Sequence, residues 1–462
     1  MTRAILTARQ MREAEAAAVA AGTPAAELME RAGAAAAEAL WRFAGPLPTL
    51  ILCGPGNNGG DGYVIARRLA ERGSAVRVAA PAQAVTPEAI AARARWPGPV
   101  ETPAEAAPAP LLVDALFGTG LSRPLDKSLW RRLADLAAGA RVRAAIDLPS
   151  GAATDDGALL SPVPDFDLTI TFATLKPSHL LQPAARHMGR IVVVDIGIAA
   201  QSSLREIGRP RFAAPGPDDH KYSRGFVAVH GGAMPGAAAL VAAAASRSGA
   251  GYVRVVAAEW IAGLPRAVVQ AAGQPWSGLD DPRIGAVAIG PGLGLGRESW
   301  AAIEAALGSK SPLVLDADAL THLAARGVER LHEAAALPVL TPHPGEFARL
   351  FPDLGGGSKV ERSLAAAARA RAVVVHKGPD TVVAAPDGRA AIARTPSAWL
   401  ATAGTGDVLT GIVAAMRAQG MEAFEGACAG VWMHGRAARL AGPGLIADDL
   451  LDRIPAAMAS CL

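Results

Sequence analysis

Apolar residues recur along this chain in two rhythms. Runs of three to five mainly apolar residues at 50–53, 111–113, 142–146, 168–172 and 191–194, interrupted only by Arg143, Thr169 and Thr171, read as strands buried on both faces. Between them, residues 8–21, 24–43, 63–72 and 88–95 space their apolar positions as helices do, with Pro24 at a first-turn position. Residues 75–80 add a further strand, and the Pro- and Ala-rich stretch 97–110 reads as loop. Strands alternating with helices predict a parallel sheet covered on both faces. Residues 199–224 then lose any period and contain Pro210, Pro215 and Gly216, so they read as a linker. A second alternation follows. It has strands at 226–229 and 372–375, an alanine-rich helix at 234–248, and a helix over 408–416.

The chemistry clusters where the apolar runs stop. After the first strand comes Gly54-Pro55-Gly56-Asn57-Asn58-Gly59-Gly60-Asp61-Gly62. Strand, glycine loop, helix is a phosphate-binding arrangement. Asn57, Asn58 and Asp61 make this loop rich in oxygen ligands, unlike a dinucleotide fingerprint, although a tight Asn-Gly turn would use the same residues. Asp114, Asp147 and Ser150 end later strands of the same set, which places their oxygens at one sheet edge, where open α/β sheets bind ligands.

In the second half the strand-ending segments are His230-Gly231-Gly232, Gly290-Pro291-Gly292-Leu293-Gly294, Asp316-Ala317-Asp318, Thr341-Pro342-His343-Pro344-Gly345-Glu346 and His376-Lys377-Gly378. Thr402-Ala403-Gly404-Thr405-Gly406-Asp407 follows a run of strand or extended-turn character and opens the last of these helices. Its amides form an anion site, and Asp407 reads either as a helix cap or as a general base. Asp318 reads as the cap of a helix over 319–325. His343, fixed between two prolines, reads as a substrate contact. Lys377 and Gly378 read as phosphate contacts.

Length and composition narrow the field. The 462 residues suggest two or three domains, and 51% hydrophobic residues suffice for full cores. A net charge of +3 without a basic tract argues against a nucleic-acid partner. Cys53, Cys428 and Cys461 are scattered without metal spacing and read as reduced thiols in a cytosolic protein. The first residues lack the apolar core of a signal peptide, and no run approaches the ~20 residues that span a bilayer. The expectation is a cytoplasmic protein with no membrane partner.

The motifs HGG, GPGLG, DADAL, TPHPGE, HKGPDT and AGTGDVLTG in this order resemble the ribokinase-like superfamily. They resemble more closely the dehydratase domain of the bifunctional NAD(P)H-hydrate repair enzymes, across 211–462. GPGNNGGDGYVIAR, DALFGTGL, DLPSG and TFATLKP, with the early QMREAE and LMERAG segments, resemble the epimerase domain of the same family across 7–198.

The resemblance implies two three-layer α/β domains, a Rossmann-like sandwich at 1–210 and a ribokinase-like domain at 211–462. It implies epimerisation of R and S hydrates of NADH and NADPH, and dehydration of the S form driven by ADP (or ATP), giving AMP and phosphate. Asp147 and Asp407 would be catalytic. A K⁺ site would use Asn58, Asp114 and Ser150; oxygen donors without Cys or His suit an alkali cation and not zinc. Epimerase substrate contacts would come from Asn57, Asn58, Gly59, Gly60, Asp61, Gly118, Thr119, Gly120, Leu121, Ser122, Arg123, Pro124 and Asp147. Dehydratase contacts would come from Ala237, Gly292, Gly294, His343 and Asp407. ADP contacts would come from Lys377, Gly378, Pro379, Asp380, Thr381 and Gly406, with Mg²⁺ beside the nucleotide. The partners implied are the two hydrates, adenine nucleotide and further copies of the chain in a homo-oligomer. Lys176 reads either as a neutraliser of substrate phosphate or as a solvated surface lysine. Ser178 stands where the family usually has Gly. A kinase of an alcohol and, for the first half, a non-catalytic binding module are the rival readings; a stable phosphorylated product would mark the kinase.

Overall fold

The computed structural model describes residues 3–273, 278–394 and 397–462. It divides into two compact units, 3–202 and 203–462.

The first unit is built on a seven-stranded, all-parallel sheet. Its order is Val100–Glu101, Val76–Ala79, Thr49–Cys53, Leu111–Ala115, Val142–Ile146, Leu168–Phe172, Arg190–Val194. Alternate residues of each strand feed opposite faces. Ile51, Val113, Ile146 and Ile170 pack under the helices Ala25–Ala44 and Asn57–Glu71. Leu50, Leu52 and Leu112 pack against Leu133 and Leu136 of the helix Lys127–Ala138. Strand order reverses between Thr49–Cys53 and Leu111–Ala115, and their C-terminal ends open the crevice in which such sheets take ligands.

One element differs from its expected form. The glycine stretch is not a loop before a helix at Tyr63. It is the first turns of the helix Asn57–Glu71, capped by Gly56. Low glycine helix propensity disguises this. A side chain at Gly59 would meet the Gly54 carbonyl at 1.8 Å, and one at Gly62 would meet Cys53 Sγ at 2.8 Å. The glycines are there because the helix presses against its own strand.

The second unit carries a ten-stranded sheet. Its order is Val269–Ala272, Tyr252–Ala257, Phe226–His230, Ala286–Ile289, Leu313–Leu315, Val339–Leu340, Val373–His376, Val382–Ala384, Ala390–Ile392, Leu204–Glu206. It is parallel except around Val382–Ala384, which runs antiparallel to both neighbours. Leu204–Glu206 pairs with Ala390–Ile392, so part of the presumed linker is an edge strand. Three residues are too few to show a period. The strand order reverses between Phe226–His230 and Ala286–Ile289. Alanine-rich Pro235–Arg247 crosses Thr405–Ala418 closely: a side chain on Gly411 would lie 2.3 Å from the Val241 carbonyl.

Among the described residues, no helix is long and apolar enough to cross a membrane.

Candidate functional site

Each unit gathers its chemistry at the C-terminal edge of its sheet. In the first, Asp114 is fully buried at the end of Leu111–Ala115. Its carboxylate accepts hydrogen bonds from the Ser150 amide (2.8 Å), Ser150 Oγ (2.7 Å) and the Leu116 amide (3.1 Å). Burial nevertheless raises its pKa to about 6, against those hydrogen bonds, and no cationic side chain contributes. Nearby, a Cβ on Gly118 would approach both Asp147 Oδ2 (2.7 Å) and Asn58 Oδ1 (3.2 Å). The buried Asn58 side-chain nitrogen has no hydrogen-bond partner. Loop residues Gly120 to Pro124 form an open rim.

Asp147 stands in the left-handed region at φ 63°. Its Oδ1 takes Lys176 Nζ at 2.8 Å and Thr171 Oγ1 at 3.0 Å. Its Oδ2 takes the Thr119 amide at 2.9 Å and the Thr119 hydroxyl. Lys176 is 1% exposed and also donates to Thr171 Oγ1 and the Phe172 carbonyl. It is therefore neither a solvated lysine nor a free phosphate contact. Only the folding of the Lys176-Pro177 turn onto the strand ends reveals this. Burial works to raise the Asp147 pKa, but the Lys176 charge and the hydrogen bonds from Lys176 and Thr119 outweigh it and hold the carboxyl below the ordinary range.

His179, one residue beyond Ser178, supports this arrangement. The Lys176 amide donates to Nδ1 at 2.8 Å. The proton therefore sits on Nε2, which donates to the Asp147 carbonyl at 2.8 Å. Burial, then the Lys176 charge, brings His179 down to about 4, so the ring is neutral. Asp61, 8% exposed, is pushed the other way from Asp147: burial first, then the charges of Asp147 and Glu15, raise its pKa well above normal. Glu15 of the helix Ala8–Ala20 senses the same pair. Sequence reasoning quoted its segment without assigning it a place in the site.

In the second unit the organising element is the helix Thr405–Ala418. It follows a short 3₁₀ turn, Ala398–Leu400, and no strand. Gly404 is its N-cap at φ 83° and offers no side-chain cap; only glycine adopts that backbone readily. Asp407 therefore lies three residues inside the helix. Burial, then the Asp316 charge, raises it to about 7, with Lys377 opposing and Asp318 and Glu346 adding.

Lys377 Nζ bonds Asp316 at 3.0 Å, lies 3.8 Å from Glu346, and stands 3.3 Å from where a Cβ on Gly406 would be. Asp316 also accepts from Thr410 at 2.8 Å. Asp318 does not cap the next helix; its carboxylate accepts the Gly294 amide at 2.8 Å, tying two strand-end loops together. Ala237 and Gly292 adjoin, 3.0 Å from a Cβ on Gly292. His343 is exposed and caps the helix Pro344–Leu350 through Nδ1, which accepts the Gly345 and Glu346 amides. Among the described residues no three carboxylate, imidazole or thiol groups come together as a metal cage.

Beside this cluster lies a cavity of about 740 Å³. Lys377, Gly378, Pro379, Thr381 and Gly406 line one part of it. Ile207, Leu400, Leu409, Val431 and Trp432 supply apolar wall, and Glu206, Arg394 and Arg439 are charged lining residues. Asp380 is outside it: the side chain is buried and pairs with Lys359 at 2.6 Å. Leu409 belongs to a motif, but the rest of the apolar wall was not legible from motifs, because Ile207 follows the edge strand, Leu400 ends a 3₁₀ turn, and Val431 and Trp432 belong to the helix Ala423–Ala441.

Family models match both units: NAD(P)H-hydrate dehydratase over 227–455 and YjeF-related protein N-terminus over 25–178. A bifunctional NAD(P)H-hydrate repair enzyme of Thermofilum pendens is 34% identical, covering 93% of this chain and 91% of its own length. One from Leishmania braziliensis is 36% identical, covering 98% and 93%. The chain belongs to the bifunctional NAD(P)H-hydrate repair enzymes. Among solved structures, a Bacillus subtilis ADP/ATP-dependent NAD(P)H-hydrate dehydratase co-crystallised with ATP/Mg²⁺ is 27% identical over 55% of this chain and 95% of its own, with a TM-score of 0.46. In this repair-enzyme chain Asn58, Asp61, Asp114, Asp147, Ser150 and Lys176 lie within the YjeF-related match, and Asp316, Lys377 and Asp407 within the dehydratase match.

Proposed function

We propose that the first unit epimerises the R and S hydrates of NADH and NADPH, and that the second dehydrates the S hydrate at the expense of ADP or ATP. Inverting a hydrated ring carbon requires its bond to hydroxyl to break and re-form on the other face. One group must give a proton to the departing hydroxyl and take one back from incoming water. Asp61 and Asp147 have environments that pull their pKa values apart, the pattern of an acid and a carboxylate at one site. Asp61 is the proton donor. Asp147, held ionised by Lys176, faces the positive charge that develops on the ring.

A fully buried carboxylate without a cationic partner fits a monovalent cation. Asp114, Ser150 and Asn58 would hold K⁺, which supplies the missing countercharge. Because the folded pKa of Asp114 lies above its ordinary value, the stability it contributes is greatest below about pH 4 and is lost as pH rises to about 6. K⁺ should therefore raise the melting temperature at pH 7.5 and do little at pH 5. Asp114→Ala should remove both the shift and epimerisation while leaving dehydration of pure S hydrate. An unchanged K⁺ shift in that variant would take Asp114 out of the site.

In the second unit, hydroxide is a poor leaving group, and phosphoryl transfer to the ring hydroxyl makes it a good one. Asp407 takes the hydroxyl proton as the terminal phosphoryl of ADP moves to that oxygen and AMP departs. Loss of phosphate and a ring proton then restores the dihydropyridine. The helix amides and Lys377 hold the transferring group. Among the described residues there is no cage for Mg²⁺, which would arrive on the nucleotide's own phosphates. The observation that carries this reading is Asp407 itself: a carboxyl whose pKa burial and Asp316 raise to about 7, in the first turn of a helix, next to Gly406 of the cavity wall and facing the charges of Asp316 and Lys377. Incubating the protein with prepared R/S hydrate, with and without ADP, tests it. Full recovery of the reduced-nicotinamide absorbance, with phosphate release, is expected only with ADP. A stable phosphorylated substrate instead would mark an ordinary kinase.

A further inference from the structure

The turn from His376 to Thr381 separates two cavities. Lys377, Gly378 and Pro379 line the nucleotide cavity. Lys359, Arg362, His376 and Asp380 line a smaller one of about 300 Å³. Lys359 is the first residue of the helix Lys359–Ala370, whose start is fixed by a capping box of Ser358 and Glu361. Its Nζ donates to Asp380 Oδ1 at 2.6 Å and to the Lys377 carbonyl at 3.1 Å, and its side chain is 11% exposed. It passes so close to Gly378 that a Cβ there would lie 2.7 Å from Nζ. Gly378 itself stands at φ 147°, a backbone that suits glycine.

This is an unfavourable place for an ammonium. Burial works against its charge, and Arg362 adds to that, with Asp380 opposing. The positive end of the helix disfavours it too. A well-packed neutral pair is often as stable as a buried ion pair. What a neutral, apolar side chain cannot do is hold a carbonyl. In a trans peptide the carbonyl and the next amide point in opposite directions. Lys359 holds the Lys377 carbonyl from the side of the smaller cavity, which turns the Gly378 N–H toward the nucleotide cavity. Among the described residues nothing accepts that N–H, so it can donate to an anion beside Lys377. The preceding amide, that of Lys377, is pinned by the Pro342 carbonyl at 2.9 Å.

We propose that Lys359 is a positioning residue of the nucleotide site: from behind the turn it holds the Lys377–Gly378 peptide so that the Gly378 amide faces the phosphates. This rests on the adenine-nucleotide reading of the cavity.

Calorimetric titration of the full chain with ADP and with adenosine, beside thermal melts, tests it on the parent, Lys359→Met and Lys359→Met/Asp380→Asn. Lys359→Met removes the donor and strands the Asp380 carboxylate, so it should melt lower than the parent. It should bind ADP about tenfold more weakly, the size of one hydrogen bond to a charged group, and bind adenosine as the parent does. The double variant has no stranded charge. It should recover the melting temperature and still bind ADP about tenfold more weakly. A pair that only stabilised the fold would let ADP affinity return with stability, and that result overturns the proposal. So does an unchanged ADP affinity in Lys359→Met, or a loss for adenosine equal to the loss for ADP. Should Lys359→Met unfold, the double variant decides alone. Failure of ADP to bind the parent overturns the nucleotide reading and this assignment with it.

Discussion

Asp407→Asn is expected to slow dehydration of S hydrate by at least about a hundredfold, the usual cost of losing a general base, while ADP binding stays near normal and the melting temperature does not fall. A capping role would give a different pattern. It costs about 0.5–2 kcal/mol on change to Ala, little on change to Asn, and leaves chemistry intact. The geometry favours the base, because the cap position belongs to Gly404 and Asp407 lies within the helix. Its charge is disfavoured by burial and by Asp316. A folded pKa of about 7, above the ordinary value, means that its contribution to stability is lost as pH rises from about 4 to 7. The neutral Asn variant should accordingly melt at or above the parent at pH 8. In the parent, kcat/KM should rise with pH through about 7. Turnover of Asp407→Asn at close to the normal rate would sink the assignment and move the base elsewhere in the crevice, His343 being the next group to test.

Breaking the Asp147–Lys176 pair should cost more than epimerase activity. Both groups are almost wholly buried at 2.8 Å, and removing one partner of a buried pair leaves the other charge uncompensated, at a cost of about 3–5 kcal/mol. Asp147→Asn keeps the shape of the side chain but strands the ammonium, and Lys176→Met strands the carboxylate. Each should abolish epimerisation and destabilise the first unit by that amount in denaturant unfolding of the full chain. The double variant Asp147→Asn/Lys176→Met should recover most of the stability and none of the activity, because two neutral groups need no countercharge. Strict additivity of the two losses would show that the residues do not form a charged pair. Loss of activity in Asp147→Asn alone therefore cannot measure basicity; the double variant separates the missing carboxylate from the stranded lysine.

Sequence by itself determined what is local or motif-bound in this protein. Runs such as 50–53 and 111–113 identify strands because a strand covered on both faces is apolar at nearly every position. Strand ends identify the chemistry, because an open α/β sheet presents its C-terminal edge to ligand. Asp114, Asp147 and Lys377 could all be named on that ground, and Asp407 on its place at a helix N-terminus. Motif order and resemblance carried the family.

Tertiary structure decided which of these groups are charged, paired or shielded, since these depend on partners far along the chain. Lys377 meets Asp316 across 61 residues, and Lys176 meets Asp147 across a turn that the sequence could not aim. The same distance effect placed the helix start at Asn57, where glycines read as loop by propensity are required by a strand pressing from outside the segment. It also assigned Asp318 to Gly294 instead of to its own helix, made part of the linker an edge strand, and joined Glu206 of that strand and Trp432 of the helix Ala423–Ala441 in one cavity wall. Propensity and spacing act over a few residues. Burial, countercharge and close packing act only once the chain has folded.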